Sequence, residues 1–509
     1  MGVLTLRFFR RKKYTKSFLS NQKRNQKKVS SFQSLEEIKQ EFKQYFGEQE
    51  GIIYRKIILP HINQKKCLLI FISEITNQDY ISDQIIQPIK TMKKHEVTSF
   101  IAYLEENILT TGDISTSNEI TTLFDNLLMG KALLFIEEEQ EALSISVDEW
   151  KGRSVEESPA ETAVRGPRES FTENMNVNKA LIRKRIKSNK LRFKSTRVGK
   201  YTQTNVSIVF IQGIAKKSLV KEIEKRINKI DLDGVVGSNI IGEKIIEQPY
   251  AILPTVGNTE RTDSAAAFLL EGKVLIIVDG TPFLLVLPVA MTHFFQTAED
   301  YYSQSISASL IRILRFFAFL ITLYAPSIYI ALTTFHQEMI PTMAVSNIAA
   351  QREGVPFPAF LEAFMMEVTF EILREAGVRM PKMVGQAVSV VGAIVIGQAA
   401  VDAGFVSAAM VIVVAITAIA SFVIPSYNMA NSVRILRFIM MIFAGSFGFY
   451  GIMISTFMIV IHLSSLQSFG MIYTAPISPF YKRDQKDTFI RLIRTTFSSK
   501  GKALKENKE

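Results

Sequence analysis

Met383-Val-Gly-Gln-Ala-Val-Ser-Val-Val-Gly-Ala-Ile-Val-Ile-Gly-Gln-Ala-Ala-Val401 opens the block that decides the fold. Between Lys382 and Lys482 the formal charges are Asp402, Arg434 and Arg437. A water-soluble core of that length would need polar faces, so the block from Met383 to Leu463 reads as membrane-embedded. A spanning helix needs roughly 20 apolar residues, and Met383–Val401, Phe405–Ile424 and Phe438–Leu463 each come close to that. Phe316–Phe335 supplies a fourth. Backbone groups in lipid must be paired within a helix. The expectation is therefore an α-helical polytopic membrane domain over 281–480, with about four spans.

Within the first of these segments Gly385, Ser389, Ala393 and Gly397 recur at every fourth position. Such a stripe lets helix backbones approach closely. A neighbouring row holds Gln386, Val390, Ile394, Gln398 and Asp402. Polar groups in a span face protein or water rather than lipid. That row reads either as interhelical hydrogen bonding or as the lining of an ion path, flanked by Ser389, with Val390 and Ile394 a dry constriction. Gly385, Ala393 and Gly397, with Gly445, Gly448 and Gly451 in Phe438–Leu463, read as helix-packing positions.

Outward from the block, the first half of the 509-residue chain is charged, and the whole carries a net charge of +12. Residues 1–30 hold ten Lys/Arg and no acid, Arg10, Arg11, Lys12 and Lys13 among them. They read as a solvated, disordered tail or as a contact with an anionic lipid surface. Nucleic acid ranks below both, because no binding fold accompanies the tail. Val3–Leu6 is too short an apolar core for a secretory signal, so the N-terminal part is expected to stay in the cytoplasm. One cysteine, Cys67, excludes an intrachain disulfide.

From 31 to 150 helix and strand signals alternate. Leu35–Phe46 has helical spacing, with Ser34 and Glu37 as a capping pair. Cys67–Ile72 and Ala132–Ile136 read as buried strands, and Asp79–Met92 and Ser99–Leu109 as helices. The pattern then recurs. Cys67-Leu-Leu-Ile-Phe-Ile72 lines up with Val206-Ser-Ile-Val-Phe-Ile211, and Leu127–Ile136 with Leu269–Val278 through a shared Leu-Leu-x-Gly-Lys. The spacing predicts two similar α/β subdomains, 31–150 and 166–280, joined by a linker at 151–165. The basic run Lys179–Arg197 reads as solvated linker and helix, or as a face turned to the membrane or to another subunit.

Thr281–Phe295 is apolar but too short to span, and reads as interfacial or re-entrant. Glu299-Asp300-Tyr301-Tyr302 would return to water or headgroups. Arg312 and Arg315 mark the cytoplasmic end of the first span, and Pro326 is expected to kink it. Pro356–Ala376 carries Glu367, Glu371, Arg374 and Glu375 on one side, so it would lie flat in an interface or pack along a bundle. Glu362 lies off that stripe. It reads as the partner of Arg352 or Arg379, or as a cation-attracting group at a pore mouth. Four spans return the basic tail 481–509 to the cytoplasm. They also leave Arg434 and Arg437 on the outer side, against the same rule.

No phosphate-binding glycine loop, metal-ligand spacing or nucleophile elbow is present, and the five histidines are scattered. An enzyme and a cofactor are both unexpected. Five stretches in order resemble the A subunits of the GerA-type nutrient germinant receptors of bacterial endospores. They are Val164-Arg-Gly-Pro-Arg-Glu-Ser-Phe-Thr-Glu173, Ala180-Leu-Ile-Arg-Lys-Arg-Ile186, Glu271-Gly-Lys-Val-Leu-Ile-Ile-Val-Asp-Gly-Thr-Pro-Phe283, Glu299-Asp-Tyr-Tyr302 and Pro381-Lys-Met-Val-Gly-Gln386. The resemblance covers roughly 130–480. It implies a multi-pass protein of the spore inner membrane with its N-terminal domain on the cytoplasmic side. It also implies a ring-forming homo-oligomer acting as a nutrient-gated cation channel, with a transporter-like B subunit and a C-subunit lipoprotein as partners. The chain is similar as well to the spore protein VAF, a paralogue linked to amplifying ion release. A solute carrier that binds nutrient itself is the alternative from another class.

Overall fold

The computed structural model describes residues 28–29, 32, 34–47, 49–59, 64–91, 100–105, 109, 113–147, 161, 165–380, 397–480 and 487–491. It falls into two compact units. The first is Met1–Arg153 with Ile186–Lys190, and the second is Ser154–Arg185 with Leu191–Glu509.

In the first unit α1 (Leu35–Phe46) starts where the Ser34 hydroxyl accepts the Glu37 amide, the predicted cap. Five strands follow: β1 (Ile52–Leu59), β2 (Lys65–Ile72), β3 (Ile114–Ser117), β4 (Lys131–Ile136) and β5 (Ala142–Ser146). They form an antiparallel sheet in the order β1-β2-β4-β5-β3. Helices cover both faces, which is why Cys67–Ile72 is apolar without alternation. One face of β2 packs on the helical stretch 78–91 through Ile81, Ile85 and Ile89. On the other side α1 and α2 (Ile120–Leu128) bring Phe42, Phe46 and Phe124 against Phe135. Burial pushes the Cys67 thiol up to about 12.

The second unit opens with the same frame. Here α3 (Met175–Arg185) precedes β6 (Leu191–Val198) and β7 (Thr204–Ile211). Next come α4 (Lys217–Asn228), α5 (Ser238–Ile245), β8 (Gly257–Thr259), α6 (Thr262–Glu271), β9 (Val274–Val278) and β10 (Leu284–Leu287). The strand order β6-β7-β9-β10-β8 repeats that of the first sheet, again antiparallel. Even the register agrees: Cys67 faces Ile136 as Val206 faces Val278. The repeated Leu-Leu-x-Gly-Lys is a helix stop. Gly130 and Gly272 sit at φ +97° and +95°, where glycine is favoured, and a central strand starts at Lys131 and just after Lys273.

Two predictions are corrected here. Leu284–Leu287 is no interfacial or re-entrant segment but a fully buried strand between β9 and β8, so the domain edge expected after Gly280 cuts through a sheet. Four apolar residues alone do not separate a core strand from a membrane segment. Lys179–Arg197 is not solvated linker either. Arg183 and Lys179 are buried over the Phe193 ring, 4.5 and 5.7 Å from its centroid.

Helices follow: α7 (Ser305–Thr334), α8 (Thr342–Arg352), α9 (Ala359–Arg379), α10 (Gly397–Asp402), α11 (Ala408–Val423) and α12 (Tyr427–Ser465). Among the described residues, α7 and α12 are long and apolar enough to cross a membrane, and α11 is a shorter apolar helix. Pro326 is buried inside a continuous α7. The predicted span Phe438–Leu463 is not one rod. Gly448 adopts φ +61° and ψ −136°, which breaks α12 into legs 427–447 and 449–465. A straight helix would hold Ser432 and Ser465 about 50 Å apart. Instead Ser432 bonds the Ile252 carbonyl, and Gln248, four residues away in the same loop, bonds the Ser465 carbonyl at 3.0 Å. The chain reverses at Gly448 and both legs end beside the second sheet. Arg434 and Arg437 lie just past Ser432, at the sheet-side end of the first leg.

Candidate functional site

The helices are held at both ends by buried charge. At the end remote from the sheet, Glu362 in the first turn of α9 is fully buried. Its Oε1 accepts the Ser407 amide at 2.6 Å and the Ser407 hydroxyl, and Ser407 caps α11. A carboxylate there faces the positive end of the α11 dipole. Arg352 Nε stands 3.7 Å from Oε2, and the Tyr329 hydroxyl of α7 meets Ser407 Oγ at 3.2 Å. Four segments meet at this carboxylate. Glu362 is thus enclosed within its own chain, beside the Arg352 that one of its two readings named as partner.

Nearer the sheet, Arg437 of α12 is 1% exposed and Glu367 of α9 is fully buried. Arg437 Nη2 lies 2.8 Å from Glu367 and 3.0 Å from Glu371, and Arg434 Nη1 lies 2.7 Å from Glu371. Two carboxylates and two guanidinium groups therefore bind α9 lengthwise to the first leg of α12. Removing one partner of such a buried pair costs about 3–5 kcal/mol, because the other charge is stranded. Of the two readings of Pro356–Ala376, the structure takes packing along a bundle.

A third cluster sits where the chain leaves the sheet for α7. Asp300 is buried and accepts Arg312 Nε at 2.8 Å and Arg315 Nη1 at 2.8 Å. Asp487 takes Arg312 Nη1 at 2.9 Å and the Tyr301 hydroxyl at 3.0 Å. Burial raises the Tyr301 phenol. Glu299–Tyr302, predicted to face water or headgroups, turns Asp300 inward to pair with Arg312 and Arg315 of α7, and Tyr301 inward to donate to Asp487.

Of the predicted pore row, Gln398 and Asp402 are described. They are exposed on α10, one turn apart, with Gln398 Nε2 donating to Asp402 Oδ1 at 2.9 Å. Gly397 is buried, and a Cβ there would meet Val411 at 3.5 Å. Gln386, Ser389, Val390, Ile394, Gly385 and Ala393 lie outside the described residues, as do Arg10, Arg11, Lys12 and Lys13. A Cβ on Gly445 would press into the Phe360 ring at 2.7 Å, and one on Gly451 would collide with the Phe443 carbonyl oxygen. Gly448 is at the tip of the reversal, where a Cβ would lie 2.7 Å from His336 Cε1. Neither that tip nor the Arg437–Glu367 pair was legible beforehand. A charge spacing of Arg434 and Arg437 matching Glu367 and Glu371 was the available signal. Among the described residues no group of three or more His, Cys, Asp or Glu side chains could hold a metal ion.

The chain thus carries two sheets of one strand order and, after the second, helices tied by buried ion pairs, of which α7 and α12 are long and apolar enough to cross a membrane. Comparison with known families makes this specific. Residues 40–502 match the model of the Bacillus/Clostridium GerA spore germination protein family, and the chain belongs to that family. It is 44% identical to spore germination protein KA of Bacillus subtilis over 89% of this chain and 83% of the relative. Spore germination protein A1 of the same organism is 38% identical over 89% and 95%. The membrane protein YfkQ, also from Bacillus subtilis, is 41% identical over 83% and 82%. The crystal structure of the N-terminal domain of the A subunit of the Bacillus megaterium spore germinant receptor GerK3 is 28% identical. It aligns with 50% of this chain and 94% of that domain at a TM-score of 0.39.

Proposed function

We propose that the chain is the A-type subunit of a nutrient germinant receptor in the spore inner membrane, and that copies of it form a ring around a cation path. Membership of the GerA family over 40–502 carries this reading. The helix directions are compatible with it. Met380 closes α9 at the sheet-side end, while α10 runs toward the remote end, where Gly404 approaches the Gly354 carbonyl. The sixteen residues 381–396 join the two. In this reading that stretch, with Gln386, Ser389, Val390, Ile394, Gln398 and Asp402, lines the path, and Val390 and Ile394 form its dry constriction. Both sheets lie on the cytoplasmic side. A transporter-like B subunit binds the nutrient, with a lipoprotein C subunit beside it, and binding shifts a closed ring toward an open one.

The test is current through the receptor reconstituted in planar bilayers. Val390→Ala and Ile394→Ala are expected to widen the constriction and raise leak current without nutrient. Unchanged conductance in both variants would remove the pore assignment. Saturable nutrient binding to this chain alone would favour a carrier instead.

A further inference from the structure

Helix α4 buries Leu219, Val220, Ile223 and Ile227 beneath the second sheet. Its outer side carries Lys217, Lys221 and Lys225, and Lys229 follows as the C-cap, one at every fourth position and all exposed. Like charges at that spacing repel and weaken a helix. The acids that could interleave them are bonded elsewhere: Glu222 holds Arg226 Nε at 2.8 Å and Glu224 holds Lys194 Nζ at 2.7 Å. Among the described residues none of the four lysines stands in an ion pair. The counterpart stretch of the first sheet, 78–91, has Asp79, Asp83 and Lys90 as its charges. The row is therefore no demand of the shared frame.

Arg226 fixes where the row leads. Its Nη1 donates to the Ile245 carbonyl at 2.8 Å and its Nη2 meets Glu247 at 3.1 Å, so the last turn of α4 abuts the loop 246–253. That loop is bonded through Gln248 and Ile252 to the sheet-side ends of both legs of α12. Between the two ties Tyr250 is 97% exposed. An uncovered aromatic ring with a polar tip, at the level where apolar helices begin, has the chemistry of a membrane interface.

We propose that the α4 lysine row and Tyr250 form one docking surface for anionic phospholipid headgroups on the leaflet where the legs of α12 start. The proposal rests on the reading that these helices cross a membrane. Attraction of this kind acts within a Debye length of the surface and weakens with salt.

The test uses the full chain, reconstituted in vesicles of phosphatidylcholine alone or with phosphatidylglycerol added. An amine-reactive reagent labels the lysines, and mass spectrometry reads the rate at each site. Lys217, Lys221, Lys225 and Lys229 are expected to label several-fold more slowly with phosphatidylglycerol present, and to recover at high salt. Equal rates in the two lipids overturn the proposal, whether the sites are open in both or shielded in both by a protein contact. Resistance to alkaline extraction, measured on the same vesicles, separates the causes. A chain that stays inserted while its lysines label equally sinks this surface alone, whereas an extracted chain sinks the membrane reading with it.

Discussion

The two sheets share strand order and register, yet their helix layers are built from different chemistry. Above the first, α1 and α2 close over it with Phe42, Phe46 and Phe124. Above the second, α3 and α6 are joined by polar bonds: Arg185 Nε donates to Thr262 Oγ1 at 2.7 Å, and Arg185 and Lys184 hold Glu169, whose carboxylate also accepts the Thr262 hydroxyl. Aromatic packing is insensitive to charge, while ion pairs respond to it. The loop 246–253 beside the second sheet is bonded to α12. A common frame thus serves once as a plain core and once as a connector.

The strongest way to break this comparison is at Phe42. Replacing a fully buried phenylalanine by alanine costs about 3–5 kcal/mol. Phe42→Ala is expected to abolish amide-exchange protection in Lys65–Ile72 and leave Thr204–Ile211 protected. Equal loss in both strands would show that the sheets do not fold as separate cores. The matched glycines sharpen the likeness. Gly130→Ala and Gly272→Ala should each cost about 1–2 kcal/mol for the left-handed backbone, read from denaturant midpoints. Gly272→Ala should be the worse, because a Cβ there lies 3.1 Å from the Ile214 carbonyl oxygen.

The smallest effect is one of pH, and it belongs to the second sheet. Burial pushes the Glu161 carboxyl up to about 7, against the hydrogen bond from Thr259. A raised carboxyl holds its proton more tightly in the folded chain. Its contribution is complete below the ordinary value and is lost as pH rises through about 7. Glu161→Gln should flatten that decline in thermal midpoint between pH 5 and pH 8. An unchanged slope would remove Glu161 as its source.

Much of the frame was legible because its central strands are covered on both faces and read as unbroken apolar runs. The Leu-Leu-x-Gly-Lys repeat gave the duplication through a helix stop that glycine alone satisfies cheaply. The edges were not legible. In β6 Leu191 and Phe193 point inward while Arg192, Lys194 and Arg197 mimic a solvated linker. β10 is short and wholly apolar, and so resembled membrane. In the site, the capping of α11 by Glu362 could not be read, because Ser407 is forty-five residues away. The reversal at Gly448 was hidden for another reason: a glycine in an apolar helix looks the same whether it packs or breaks.

The reversal also makes α12 a two-pronged fork whose handle is the tip at His336 and whose prongs are both gripped by five residues of one surface turn. A tug on that turn cannot reach one prong without the other. Whatever twists Gln248 against Ile252 is delivered to the fork as torque, and the single glycine at its bend is where that torque would be absorbed.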